Sequence, residues 1–243
     1  MSEQRKRALV TGGSGEIGAA ICRRLAAAGH FVYVHGHANG ALATTLAAQL
    51  NEAGHAARAV IFDVTDETAS RAAVESMLAD GPLQIVVNNA GVHDDVVFAG
   101  MSSRQWHRVL NTSVDGFFNV TQPLMMPMLR TRWGRIVNIS SVSALLGNRG
   151  QVNYSAAKGA INSATRSLAA EVASRGVTVN AVAPGVIATR QTTAIFDAET
   201  IARLVPMKRA GTPDDVASLV GFLASESAAY ITGQVISING GII

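Results

Sequence analysis

The sequence is short of the residues that mark most specialised folds. Cys22 is the only cysteine in 243 residues. A lone thiol forms no internal disulfide and anchors no cysteine-based zinc site, so no metal is expected. Cys22 falls on the apolar face of a predicted helix, the position of a small core residue. Aromatic residues make up 5% and charged residues 15%. They form no dense Lys/Arg run and no mixed basic–aromatic patch, which argues against nucleic acid as a partner. No apolar run approaches the roughly 18–20 residues that span a bilayer. The segment from Met1 to Arg7 is charged and leads into Ala8-Leu9-Val10, which Gly12 and Gly13 interrupt. That run is too short for the apolar region of a signal peptide. A soluble, cytoplasmic chain with no membrane contact is expected. The six prolines are scattered. No linker, repeat or low-complexity stretch divides the chain, so one domain over residues 1–243 is expected.

What is present is apolar and regularly alternating. Hydrophobic residues make up 48%, enough for a sizeable core. Strand-like runs are predicted at Arg7–Thr11, Phe31–His35, Ala59–Phe62, Leu83–Val87, Arg135–Ile139, Val177–Val182 and Val235–Ile238. Helical patterns fall between them at Ile17–Ala28, 41–53, Glu67–Ala79, about 103–130, about 153–175 and Pro213–Leu223. Gly29, Gly54 and Gly176 follow helices, where a left-handed residue closes the last turn. Several strands are apolar on both faces, as in a parallel sheet covered by helices on each side. The fold class is therefore α/β: a Rossmann-type doubly wound parallel sheet of about seven strands, order 3-2-1-4-5-6-7.

The first strand runs into Thr11-Gly12-Gly13-Ser14-Gly15-Glu16-Ile17-Gly18, where a helix begins. Glycines let the backbone turn tightly against a pyrophosphate, whose charge suits a helix N-terminus. A lone G-x-G-x-x-G is a weak signal, but here it stands between a strand and a helix, in the context it requires. No acid ends the second strand, in Phe31 to Gly40. An acid there would bind a ribose 2′-hydroxyl and repel a 2′-phosphate, so its absence favours NADPH over NADH. His35, His37 and Asn39 are candidate hydrogen-bonding partners, and for His35 a structural role stands equally open.

Tyr154 and Lys158 lie at i and i+4 on one helical face. A phenol titrates near 10, and a nearby ammonium favours its phenolate. Such a pair can give a proton to an alkoxide forming from a carbonyl. The pair alone recurs in many helices, but its surroundings are more specific. Ile139-Ser140-Ser141 ends a strand before it, Asn88-Asn89-Ala90-Gly91 ends another, and Pro184-Gly185 ends a third. Ligands bind at these carboxyl ends in doubly wound folds. The residues alone leave Ser140 and Ser141 both open.

Together these motifs resemble the short-chain dehydrogenase/reductase family, and within it the 3-oxoacyl-acyl carrier protein reductases. The resemblance runs from Ala8 to about Gly241. It implies that Ser141 orients a carbonyl, Tyr154 donates the proton, and Lys158 lowers the tyrosine pKa and holds the nicotinamide ribose. Asn111 would support a proton relay through Lys158. For the cofactor it implies Gly12, Ser14, Gly15, Glu16, Ile17 and Gly18 at the phosphates, and Asp63 and Val64 at the adenine, with His37 nearby. Asn89, Ala90 and Gly91 would line the cleft, with Pro184, Gly185, Ile187 and Thr189 at the nicotinamide end. It further implies a lid-like segment at about 190–208, a homotetramer or homodimer, and a thioester substrate on acyl carrier protein. Arg132 and Arg175 match that partner's docking positions, although ordinary surface arginines would look the same. The turn departs from the family pattern T-G-x-x-x-G-x-G: Glu16 stands at the second of those three glycines, and Gly15 replaces a frequent phosphate-binding arginine. Rival readings are a reductase of a free ketone, acyl-CoA, sugar or steroid-like alcohol, and a cofactor-binding regulatory protein without turnover.

Overall fold

A computed structural model describes residues 5–38 and 40–243, so Asn39 and the first four residues lie outside it. Seven parallel strands form one sheet: β1 (Arg7–Val10), β2 (Phe31–Gly36), β3 (Ala56–Ile61), β4 (Ile85–Asn88), β5 (Gly134–Ile139), β6 (Val177–Pro184) and β7 (Val235–Ile238). Their order is β3-β2-β1-β4-β5-β6-β7, as expected. Alternate side chains of β1 enter opposite cores. Ala8 and Val10 pack with Ile21, Leu25, Val216 and Val220, whereas Leu9 packs with Met77, Leu124 and Met128. One face is thus covered by α1 (Glu16–Ala27), α2 (Gly40–Glu52) and α11 (Pro213–Leu223). The other is covered by α3 (Glu67–Ala79), the helical segment 103–131 and α8 (Val152–Val172).

Local signals held well at the helix ends. Gly29, Gly54 and Gly176 have φ of 88°, 83° and 73°. Thr212 and Asp215 form a reciprocal capping box at the start of α11.

Three expectations are corrected. Strand β3 begins at Ala56, where its pairing with Phe31 opens the β2 ladder. The helix expected over 103–130 is interrupted. It consists of α4 (Ser103–Leu110), a π-turn at Asn111–Asp115, α5 (Gly116–Thr121), a 3₁₀ turn at Gln122–Leu124 and α6 (Met125–Thr131). Pro123, which lacks an amide donor, accounts for the second break. The segment after β6, expected to be rich in loop, holds α9 (Arg190–Ile195) and α10 (Ala198–Leu204). Thr189 and Asp197 cap them by accepting from Thr192 and Thr200 amides. A further short helix, α7 (Ser143–Leu146), follows β5.

A buried polar chain braces the carboxyl ends of β4 and β5. Asn88 Nδ2 donates to Thr121 Oγ1 and Asn138 Oδ1, both at 2.9 Å, and Asn138 Nδ2 donates to Thr165 Oγ1 at 2.8 Å. The chain ties α5 and α8 to the strand ends that carry the site residues.

Candidate active site

The sheet order reverses between β1 and β4, and an open cleft of about 1350 Å³ lies along the carboxyl ends there. One end of it is the Gly-rich turn. Gly12 takes a positive φ of 62°, and Asn89 Nδ2 donates to the Thr11 and Gly12 carbonyls at 2.9 and 3.1 Å. Gly15 precedes α1 with no side-chain cap, leaving the first-turn amides of α1 for an anion. Gly18, expected at the phosphates, lies outside the cleft lining. Its role is close packing, since a Cβ there would overlap the Gly12 carbonyl oxygen.

His35 proves structural. Gly12 N–H donates to its Nδ1 at 2.9 Å, and its Nε2 lies 3.0 Å from the Phe62 carbonyl oxygen. This pattern requires a neutral ring with its hydrogen on Nε2. Burial pushes the pKa from 6.5 down to about 4. Between those values the unfolded chain binds more protons than the native one, so stability falls as pH falls. The contribution, on the order of 3 kcal/mol, is complete above pH 6.5 and lost as pH drops to about 4. Denaturant midpoints measured across this window should fall less steeply in His35→Asn than in the wild type.

His37 is exposed at the end of β2, with Nε2 3.6 Å from the Asp63 carboxylate. Burial alone would raise the Asp63 pKa, but hydrogen bonds from Thr65 and the nearby histidines hold it below the usual value. Both residues line the cleft with Val64, Ala90 and Gly91.

Glu16 does not stand free beside the turn. Its Oε2 accepts from the Arg190 backbone N–H at 2.9 Å, so the carboxylate caps the first helix of the segment 190–208. Glu16→Gln keeps an acceptor and removes a negative charge near the uncapped first-turn amides of α1. Its cofactor KM should fall about two- to fivefold. Glu16→Gly removes the tie, and limited proteolysis within 190–197 should then be faster.

The other end of the cleft holds the expected tetrad. Ser141, Tyr154, Lys158 and Asn111 all line it. Ser140 Oγ turns to the Lys158 carbonyl of α8 at 3.4 Å. Ser141 Oγ accepts from the Ser143 amide at 3.1 Å, which leaves its own hydrogen to donate. Lys158 is 4% exposed; its Nζ donates to the Ile139 carbonyl at 2.8 Å and lies 5.7 Å from the centre of the Tyr154 ring. Burial lowers its pKa to about 8, so the ammonium still dominates at neutral pH. In the protein alone, burial dominates the acidity of the tyrosine. Burial pushes Tyr154 up to about 12, the Ser141 hydroxyl draws it down, and the Asp95 carboxylate adds to the rise. Tyr154 is thus fully protonated at neutral pH. Asn111 opens the π-turn, a local widening that often marks functional sites.

One neighbour escaped the sequence reading. The His93 ring stacks on Tyr154 with centroids 4.0 Å apart and planes 26° from parallel. Asp95 lies 3.7 Å from its Nδ1 and accepts from Gln151 Nε2 at 2.6 Å. The available signal was position, since His93 and Asp95 closely follow the Asn88–Gly91 strand end.

Arg132 and Arg175 come together but not at the cleft. Arg132 Nη2 donates to the Ser174 carbonyl at 3.4 Å. Both exposed residues precede the amino ends of β5 and β6. The length of β5, roughly 20 Å, separates them from Ser141.

A parallel sheet with a Gly-rich turn and a Ser–Tyr–Lys–Asn cluster in its switch-point cleft defines an oxidoreductase of the nicotinamide-binding kind. The chain belongs to the short-chain dehydrogenase/reductase family. A family model described as enoyl-(acyl carrier protein) reductase matches residues 13–243. A 3-oxoacyl-[acyl-carrier-protein] reductase of Aggregatibacter actinomycetemcomitans is 46% identical over 237 residues, 96% of this chain and 98% of that one. Nodulation protein G of Azospirillum brasilense is 45% identical, covering 98% of each chain. An acetoacetyl-CoA reductase of Acinetobacter sp. is 41% identical, covering 100% of this chain and 99% of its own.

Proposed function

We propose that this protein reduces a 3-oxoacyl thioester, carried on acyl carrier protein, to the 3-hydroxyacyl form with NADPH. The observation that carries this reading is the meeting of Ser141, Tyr154 and Lys158 in the same cleft as the Gly-rich turn. The similarity to 3-oxoacyl-[acyl-carrier-protein] reductases supports the substrate.

The residues present fit the cofactor, because the turn offers free amides and glycines where a Cβ would crowd it. Gly12, Ser14, Gly15 and Ile17 would hold the phosphates. Asp63 and Val64 would flank the adenine, and Pro184, Gly185, Ile187 and Thr189 the nicotinamide end. NADPH is favoured because β2 ends without an acid and His37 is near. A nicotinamide cofactor held there would supply the hydride that the carbonyl carbon takes up. Ser141 orients the carbonyl oxygen by donating its hydrogen bond. Tyr154 gives that oxygen its proton as the alkoxide forms, and the Lys158 charge stabilises the phenolate left behind. Asn111 supports return of a proton through Lys158.

The chain then acts as one cytoplasmic catalytic domain with 190–208 as its lid. Among the described residues, no helix is long and apolar enough to cross a membrane. Exposed Phe118 and Met126 on α5 and α6, and Val152 on α8, suit a homotetramer. In one chain the Arg132–Arg175 pair lies on the edge opposite the cleft.

That same placement favours a second reading, reduction of a free acyl-CoA thioester, which needs no carrier dock. NADPH and NADH oxidation should be followed with acetoacetyl-acyl carrier protein, acetoacetyl-CoA and simple ketones in parallel. The leading reading expects preference for the carrier-bound substrate, lost in Arg132→Glu/Arg175→Glu. Equal use of the CoA thioester selects the second.

A further inference from the structure

The chain beyond β4 forms a loop that reaches over the tyrosine, and it is held on two sides. On α4, Gln105 Nε2 and Arg108 Nη1 donate to the Asp94 carboxylate, both at 3.0 Å. At the start of α8, Asn153 Nδ2 donates to the Asp94 carbonyl at 3.0 Å, and the Val96 amide donates to the Gly150 carbonyl at 2.8 Å. Asn153 is fully buried, and its Oδ1 accepts from the Tyr154 amide at 2.8 Å. Clamped in this way, the loop lays the His93 ring on the Tyr154 ring, with centroids 4.0 Å apart. Val109 and Ala157 belong to the same small apolar cluster as the phenol.

The His93 ring has an unfilled bonding position. Its Nδ1 is buried without a hydrogen bond. Asp95 Oδ1 stands 3.7 Å away, too far for a hydrogen bond and close enough for an ion pair. The other Asp95 oxygen accepts from Gln151 Nε2 at 2.6 Å, which fixes the carboxylate. A second proton puts hydrogen on both ring nitrogens, so the imidazolium has its counter-charge already in place. The ring is 33% exposed and lines the cleft, so solvent protons reach it. Burial lowers its pKa below 6.5; the Asp95 carboxylate opposes that, and the Lys158 ammonium of α8 adds to it. The nearby charge on α4, Arg108, is taken up by Asp94. His93 is therefore uncharged at neutral pH and takes its proton in mild acid.

We infer, on the proposed role of Tyr154 as proton donor, that His93 is a positioning residue: its stacked ring fixes the plane of the phenol, and the charge it gains in mild acid, paired with Asp95, makes that phenol a stronger acid. A cation against the ring favours phenolate, as the Lys158 ammonium does. The same proton neutralises Asp95, whose charge adds to the rise in the Tyr154 pKa. Both effects have one sign, so proton transfer to the carbonyl oxygen is faster once His93 is charged.

The test is single-turnover reduction with NADPH prebound, followed from about pH 5.5 to about pH 8. The substrate is acetoacetyl-CoA, or a simple ketone where that reacts faster. In the wild type the rate should rise about two- to fivefold as pH falls through the His93 titration. His93→Phe keeps a flat ring and should retain most of the neutral-pH rate while losing the rise. His93→Leu loses the stack and should lower kcat about ten- to 100-fold with KM little changed. Asp95→Asn keeps an acceptor for Gln151 and removes the charge. Ring-proton NMR, assigned by comparison with His93→Phe, should then find His93 titrating at lower pH than in the wild type, which needs no substrate. A flat wild-type profile, or a rise that survives in His93→Phe, overturns the tuning of the phenol. Equal kcat in His93→Leu and His93→Phe, or an effect confined to KM, overturns the positioning. If Tyr154→Phe turns over like the wild type, the proton donor is misassigned and the inference falls with it. If Tyr154→Phe is inactive while both His93 variants behave as wild type, the inference alone falls.

Discussion

Tyr154→Phe is expected to lower kcat by about 10²- to 10⁴-fold while cofactor titration and thermal unfolding stay close to wild type. The substitution removes one oxygen. The ring that stacks on His93 at 4.0 Å remains, and no side-chain hydrogen bond that braces the fold is lost. Only the acid is missing. With its pKa pushed up to about 12, Tyr154 is fully protonated through the neutral range, so the reduction rate should show no titration of this group near pH 7. The reverse reaction, oxidation of the alcohol, starts from phenolate and should therefore climb with pH up to the tyrosine pKa. Single-turnover kinetics with cofactor prebound separate chemistry from binding. Unchanged turnover in the variant would remove Tyr154 from the mechanism.

The second large effect belongs to a residue with no chemistry. Gly18→Ala would force a Cβ onto the Gly12 carbonyl oxygen, 2.8 Å from Gly13 Cα and 2.9 Å from Asn89 Nδ2. None of these atoms can yield easily. The Gly12 carbonyl accepts from the Gly15 amide at 3.0 Å and from Asn89 Nδ2. Asn89 in turn is held by Thr11 through its own amide at 3.0 Å. The turn must therefore swell, at a cost of about 1–3 kcal/mol. If that cost falls on the cofactor-bound turn, cofactor binding is expected to weaken by about five- to 150-fold. Gly15→Ala is the control. The nearest atom to a Cβ there is the Gly12 carbonyl oxygen at an ordinary 3.4 Å, and φ is −78°, so alanine fits. Fluorescence titration with NADPH should show strong loss in the first variant and little in the second. Equal affinities would remove the packing argument.

Much of this architecture was legible in the chain because its signals are local. The apolar strand runs separated by helical periods predicted the sheet and its order. Glycines after helices predicted three left-handed caps. The Gly-rich turn between β1 and α1, and the Tyr154–Lys158 spacing, predicted both ends of the cleft. Other features were hidden. Helices α9 and α10 are six and seven residues long, too short to show an apolar period. The π-turn at Asn111 has no composition of its own; it runs into Gly116, which packs against Val64 with no room for a Cβ.

What the sequence determined by itself was therefore the set of elements and the chemical inventory at their ends. What only the tertiary structure decided was which side chains meet. His35 turned out to brace the turn, because β2 carries its ring beneath Gly12 and beside Phe62. Glu16 turned out to hold Arg190, 174 positions away. His93 turned out to cover Tyr154, and burial there raises the pKa of the phenol. Arg132 and Arg175 turned out to share an edge away from the cleft. Periodicity and turn chemistry act over a few residues and can be read in order. Contacts between distant side chains, and the desolvation that shifts a pKa, exist only once the sheet has brought its strand ends together.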